Sequence, residues 1–227
     1  MRIDILTIFP EMFCGIFDCG IVEKARQQGI VDIQIHDLRN YAQDRHRMVD
    51  DRPFGGGEGM VLKPEPIFEA VKAVRQQGSQ SYVVLLSPQG TVFRQPVARR
   101  LADFGQLILI CGRYEGVDQR VGDYLADEEI SVGDFILTGG ELAGMLIADA
   151  VTRLIPGSLG CDTSAERESF EVDSGGGLDC PHYTRPAEFR GLRVPEVLLS
   201  GDHGAIEQWR RAEAARRTRL RRPDLSD

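Results

Sequence analysis

The chain opens with an alternation. From Arg2 to Phe9, apolar Ile3, Ile5 and Ile8 are spaced by other residues until Pro10 stops the run, which reads as a β-strand. Glu11 to Gln28 reads as a helix closed by Gly29, and Val31 to His36 alternates again as a second strand. Lys63 and Pro64 open a helical stretch to about Gln77, with Pro64 and Pro66 in its first turn. Tyr82 to Leu86 and Leu107 to Cys111 are short apolar runs without polar alternation, as expected of central strands covered on both faces. Gln95 to Asp103 lies between them as a helix, and Glu141 to Arg153 forms a mostly apolar helix before Pro156 and Gly157. Strands alternating with helices predict an α/β fold with a parallel sheet covered by helices. Ligands bind such sheets beyond the carboxyl ends of the strands, where both central runs reach glycine- or proline-bearing loops.

The pattern divides the chain. Residues 1–160 form a large first domain. Residues 161–177 lack apolar periodicity and read as a polar, flexible linker. Residues 178–227 carry a separate helical pattern, with Val197-Leu198-Leu199 and then Ala205 to Leu220, and read as a small helical domain. The whole chain has 227 residues and a net charge of −8, which argues against binding nucleic acid by bulk charge. The charge is uneven: Arg210, Arg211, Arg216, Arg217, Arg219, Arg221 and Arg222 crowd the C-terminal tail. Five cysteines without a C-x-x-C pair argue against a disulfide framework or zinc ribbon and fit a reducing cytosol. The four histidines are scattered and read as surface or hydrogen-bonded groups rather than metal ligands. Neither a signal peptide nor an apolar run of about 18 residues is present, so a cytoplasmic protein without a membrane span is expected.

Three segments are candidates for chemistry. Asp50 to Met60 holds Gly55, Gly56, Gly57 and Gly59, suited to a loop closing over a ligand or an RNA backbone, or to an ordinary flexible turn. It is neither a Walker A motif nor a dinucleotide fingerprint, which speaks against a dehydrogenase. Ile110 to Asp118 ends a buried strand with Gly112, Arg113, Tyr114, Glu115 and Gly116; its plainer reading is a strand-to-helix turn capped by Asp118. Ser131 to Glu141 is apolar between glycines, with no clear strand or helix period, and could wrap an adenine by its backbone or simply form a buried loop.

Taken in order, G-G-G-E-G-M, L-S-P-Q-G, C-G-R-Y-E-G-V-D, S-V-G-D-F-I-L-T-G-G-E and P-H-Y-T-R-P resemble the TrmD-type tRNA (guanine-N1)-methyltransferases over almost the whole chain. The resemblance implies the SPOUT α/β fold with a C-terminal trefoil knot, and an obligate homodimer with its active site at the interface. It implies methyl transfer from S-adenosylmethionine to N1 of the guanine at position 37 of tRNA, next to the anticodon. S-adenosylmethionine would contact Leu86, Ser87 and Pro88, then Gly112, Tyr114 and Glu115, then Val132, Gly133, Asp134, Phe135, Ile136 and Leu137 with Gly139 and Gly140. Glu168 takes the place of the family's aspartate base, ahead of Asp179, and Arg153 would stabilise charge on guanine O6. Mg²⁺ is a candidate cofactor, and the tail arginines would meet tRNA phosphates. Competing expectations are a SPOUT methyltransferase for another RNA base and an inactive RNA-binding relative.

Overall fold

The computed structural model describes residues 1–78, 80–160, 168–171 and 176–225. The chain divides into two compact units, Met1–Gly160 and Cys161–Asp227. The first contains β1 (Arg2–Thr7), α1 (Gly20–Gln27), β2 (Asp32–Asp37), β3 (Asp50–Asp51), β4 (Val61–Leu62), α2 (Pro64–Val74) and β5 (Ser81–Val92). There follow α3 (Gln95–Ala102), β6 (Gln106–Cys111), α4 (Gln119–Tyr124), β7 (Glu128–Ser131) and α5 (Glu141–Thr152).

Five strands form one parallel sheet in the order β2-β1-β6-β5-β7. Successive side chains of a strand point to opposite faces, and both faces here are apolar. Ile3, Ile5, Val84, Leu86, Leu107 and Leu109 pack with Val22 and Ala25 of α1, Leu101 of α3, and Ile147 and Val151 of α5. Leu6, Val83, Leu85, Ile108 and Ile110 pack on the other face with Ile67, Ala70 and Val71 of α2 and Val121 of α4. All six residues of β6 are buried, which accounts for a run with no polar alternation. Each such aliphatic side chain contributes about 2 kcal/mol on removal from water.

Two expectations are corrected. The helix expected over Glu11 to Gln28 is a single 3-10 turn at Pro10–Phe13, a loop, and a helix that begins only at Gly20. Gly15 and Gly20 hold φ +78° and +68°, which no interior residue of an α-helix adopts, so the helix cannot run through them. The run ending at Leu86 belongs to a longer strand. Leu86 and Thr91 both pair with Ile130, so Ser87-Pro88-Gln89-Gly90 bulges from the ladder and the strand resumes after it. Two elements not read from the sequence, α4 and β7, carry too few residues for a periodic signal; Asp118 caps α4 as expected, accepting the Arg120 amide at 3.0 Å.

The second unit contains the hairpin β8 (Glu188–Phe189) and β9 (Leu192–Arg193) and the long helix α6 (His203–Arg221). Asp202 caps α6, accepting the Gly204 and Ala205 amides, both at 3.0 Å. Within the span expected as a linker, residues 161–167 and 172–175 lie outside the described residues. Within its described parts Phe170 donates its amide to Gly177 at 2.7 Å, and just after it the Leu178 amide reaches Thr218 Oγ1 on α6 at 2.9 Å.

Candidate functional site

A cleft of about 210 Å³ opens at the carboxyl ends of β5, β6 and β7. Its walls come from three segments far apart in sequence: the bulge after Leu86, the turn after Cys111, and the loop from Val132 to Gly140. Leu86, Ser87, Pro88, Gly112, Tyr114, Glu115, Val132, Gly133, Phe135, Ile136, Leu137, Gly139 and Gly140 all line it. Asp134 belongs to the same loop but is exposed and is not part of the wall.

Close backbone approach explains several glycines. A Cβ on Gly140 would lie 2.8 Å from the Cys111 Cα, and the Gly140 amide donates to the Gly112 carbonyl at 2.8 Å. The loop before α5 is thereby pressed onto the end of β6. Gly90 rests on the backbone of Glu129 and Ile130 with no room for a Cβ. Ser131 Oγ accepts the Gly133 amide at 3.2 Å and donates to the Gly133 carbonyl at 3.1 Å, closing the start of the loop on itself. Tyr114 sits at φ +59°, a conformation uncommon for a bulky residue, with its ring half exposed at the cleft.

The glycine-rich segment reaches this site from β4. The Glu115 amide donates to the Met60 carbonyl at 3.0 Å, and the Leu62 amide to the Gly116 carbonyl at 3.0 Å. A Cβ on Gly59 would lie 2.6 Å from Glu115 Cγ, so the loop passes directly over that side chain. Glu115 places a carboxylate on the cleft wall, and Leu86, Val132 and Leu137 supply apolar surface beside backbone amides and carbonyls. That set fits an adenosyl group carrying a nearby cation: apolar walls and backbone partners for the base, an acid for the positive charge.

Sequence reasoning did not single out Arg113, Thr138 or Glu141 as site residues, yet they brace the walls. Arg113 Nε donates to Glu141 Oε2 at 2.9 Å and its Nη1 to the Thr138 carbonyl at 3.1 Å. The partnership joins residues 28 apart, so no local pattern could reveal it. Cys111 lies under this network, and burial, with Glu141 nearby, pushes its thiol well above the ordinary range. It is packing, not a nucleophile.

Arg153 is the C-cap of α5, partly buried, and donates its amide to Asp149 at 3.2 Å; it lies in the first unit but outside the cleft wall. Glu168 belongs to the second unit, is partly buried, and its carbonyl accepts the Glu171 amide at 3.4 Å. Asp179 accepts the His182 ring nitrogen at 2.8 Å and the Cys180 amide at 2.6 Å. Burial raises its carboxyl, but these bonds outweigh that and hold it below the usual carboxylate range. Among the described residues, Asp179, Cys180 and His182 bring ligand atoms within 4.8 Å of one another. A hard cation such as Mg²⁺ prefers several oxygen ligands, and this group offers a single carboxylate. On α6, Arg211 pairs with Glu207 at 3.1 Å and Arg216 with Glu213 at 2.8 Å. Such exposed pairs are weak and exchange readily for other anions. No helix among the described residues is long and apolar enough to cross a membrane.

Comparison with known proteins agrees with this arrangement. The family model for tRNA (Guanine-1)-methyltransferase TrmD matches residues 1–227. A tRNA (guanine-N(1)-)-methyltransferase of Dehalococcoides mccartyi is 56% identical over 226 residues, covering 99% of this chain and 90% of the relative. The same-named protein of Koribacter versatilis is 56% identical over 242 residues, covering 99% and 92%. That of Geobacillus kaustophilus is 54% identical over 227 residues, covering 100% and 92%. With the cleft built from the motifs that carry the likeness, this chain belongs to the tRNA (Guanine-1)-methyltransferase TrmD family.

Proposed function

We propose that the chain transfers a methyl group from S-adenosylmethionine to N1 of the guanine at position 37 of tRNA, next to the anticodon. The observation that carries the reading is the convergence of three distant segments, each matching a family motif, on one cleft of suitable chemistry. When bound, S-adenosylmethionine supplies an electrophilic methyl group on a sulfonium. Leu86, Val132, Ile136 and Leu137 would shield the adenosyl part, backbone groups of the loop from Val132 to Gly140 would answer its polar edge, and Glu115 would offset the positive charge.

Guanine N1 bears a proton at neutral pH and is a poor nucleophile until that proton is removed. Glu168 takes it, and Arg153 stabilises the negative charge that collects on O6. Asp179 is the weaker candidate base, because its depressed carboxyl already holds two hydrogen-bond donors. Residues 1–160 hold the donor, Glu168 in the span 161–177 supplies the base, and residues 178–227 grip the tRNA through the arginines of α6. The fold is the SPOUT α/β fold with its trefoil knot, a reading supported by the family match over residues 1–227. Leu142 and Leu146, on one side of α5 and 51% and 47% exposed, support a homodimer. The enzyme works in the cytoplasm, with Mg²⁺ as a candidate cofactor.

The test is methylation of tRNA transcripts followed by nucleoside analysis. The expected product is 1-methylguanosine, lost when the guanine at position 37 is replaced. A methyl group on another base, or on an unrelated guanine, overturns the assignment.

A further inference from the structure

Glu141 opens α5 with no exposed surface at all. A carboxylate so placed is unfavourable unless each oxygen is answered. Here both are. Oε1 accepts the hydroxyl of Thr7, at the end of β1, at 2.8 Å. Oε2 accepts Arg113 Nε at 2.9 Å, and the same guanidinium reaches the Thr138 carbonyl at 3.1 Å while lying over the Phe9 ring, 4.6 Å from its centroid. One buried acid therefore ties a central strand to two of the three cleft walls. A Cβ on Gly139 would fall inside contact distance of Arg113 and 2.5 Å from Glu141 Oε2, so the loop takes glycine where the pair passes.

We propose that Glu141 is a positioning residue: through Arg113 it holds the turn after β6 and the loop before α5 at the separation that the methyl donor needs. The inference rests on the methyl-donor reading of the cleft and extends it to a group that does not line the cleft. A purely structural ion pair would stabilise the fold without setting that separation. Thr7 fixes the other carboxylate oxygen, so its hydroxyl shares the task.

The test is calorimetric titration of the full chain with S-adenosylmethionine, alongside hydrogen exchange of backbone amides 133–140 and steady-state methylation of tRNA. Glu141→Gln keeps the shape and removes the charge. It is expected to raise Kd for the donor about tenfold, equivalent to about 1.4 kcal/mol, to speed exchange in that loop, and to change kcat at saturating donor less than Kd. Thr7→Val weakens donor binding several-fold and Thr7→Ser restores it; this pair carries the test if Glu141→Gln does not fold. A lowered melting temperature with unchanged Kd and loop exchange overturns the proposal. Failure of the unaltered protein to bind the donor instead overturns the reading of the cleft itself.

Discussion

In the proposed mechanism, the chemistry turns on Glu168 and Arg153. Composition and periodicity give no reason to choose them among 35 acidic and 27 basic residues. Family motifs single them out, and the fold places Arg153 at the C-cap of α5. If Glu168 removes the N1 proton and Arg153 steadies O6, Glu168→Ala and Arg153→Ala each lower turnover about a hundredfold with donor affinity little changed. Single-turnover methylation of tRNA with saturating donor measures this. Near-normal rates in both variants would remove them from the mechanism. The proposed cofactor positions behave differently: their glycines are visible in sequence because backbone packed against backbone, as at Gly140 on Cys111, tolerates no side chain.

At the scale of elements, a second buried carboxylate shows how the strands are pinned. Asp4 of β1 is wholly buried and bonds Arg2 at 2.8 Å, His36 of β2 at 2.7 Å and Gln106 of β6 at 2.6 Å. Burial pushes its carboxyl up, but the bonds from His36, Arg2 and Gln106 prevail and leave it below its ordinary value. Because the folded value is depressed, its stabilisation is fully present above the unfolded carboxyl pKa of about 3.9 and fades as pH falls through the folded value. Asp4→Asn is expected to cost about 3 kcal/mol at pH 7, and its deficit shrinks below about pH 4. Thermal melts of both proteins across that range check it; a deficit independent of pH would show that charge is not the source. β1, β2, β6 and the first half of β5 were legible from apolar spacing. The span Glu11 to Gln28 was not, because two positive-φ glycines decide the chain's path where polarity alone permits a helix.

For the whole molecule, the sidedness of α5 matters most. Ala143, Ile147 and Val151 face the sheet core while Leu142 and Leu146 remain exposed. In the proposed homodimer these leucines are covered by the second copy, and Leu146→Glu would desolvate a charge at that interface. Light scattering after size exclusion is expected to show a dimer for the unaltered chain and a shift to monomer for the variant, with methylation lost together with dimerisation. A variant that stays dimeric would place the interface elsewhere.

The sequence by itself determined the alternation of strands and helices, the buried character of the central runs, the basic C-terminal helix, and through its ordered motifs the family. These are local properties: each depends on the spacing of a few neighbouring residues. Only the tertiary structure decided the strand order, the bulge that carries Ser87 to Gly90, the meeting of residues 86, 112 and 140 at one cleft, and the buried bridge from Thr7 through Glu141 to Arg113. Those features join residues dozens of positions apart. A side chain's neighbours across a sheet are set by how the strands assemble, and the chain's own periodicity carries no record of them.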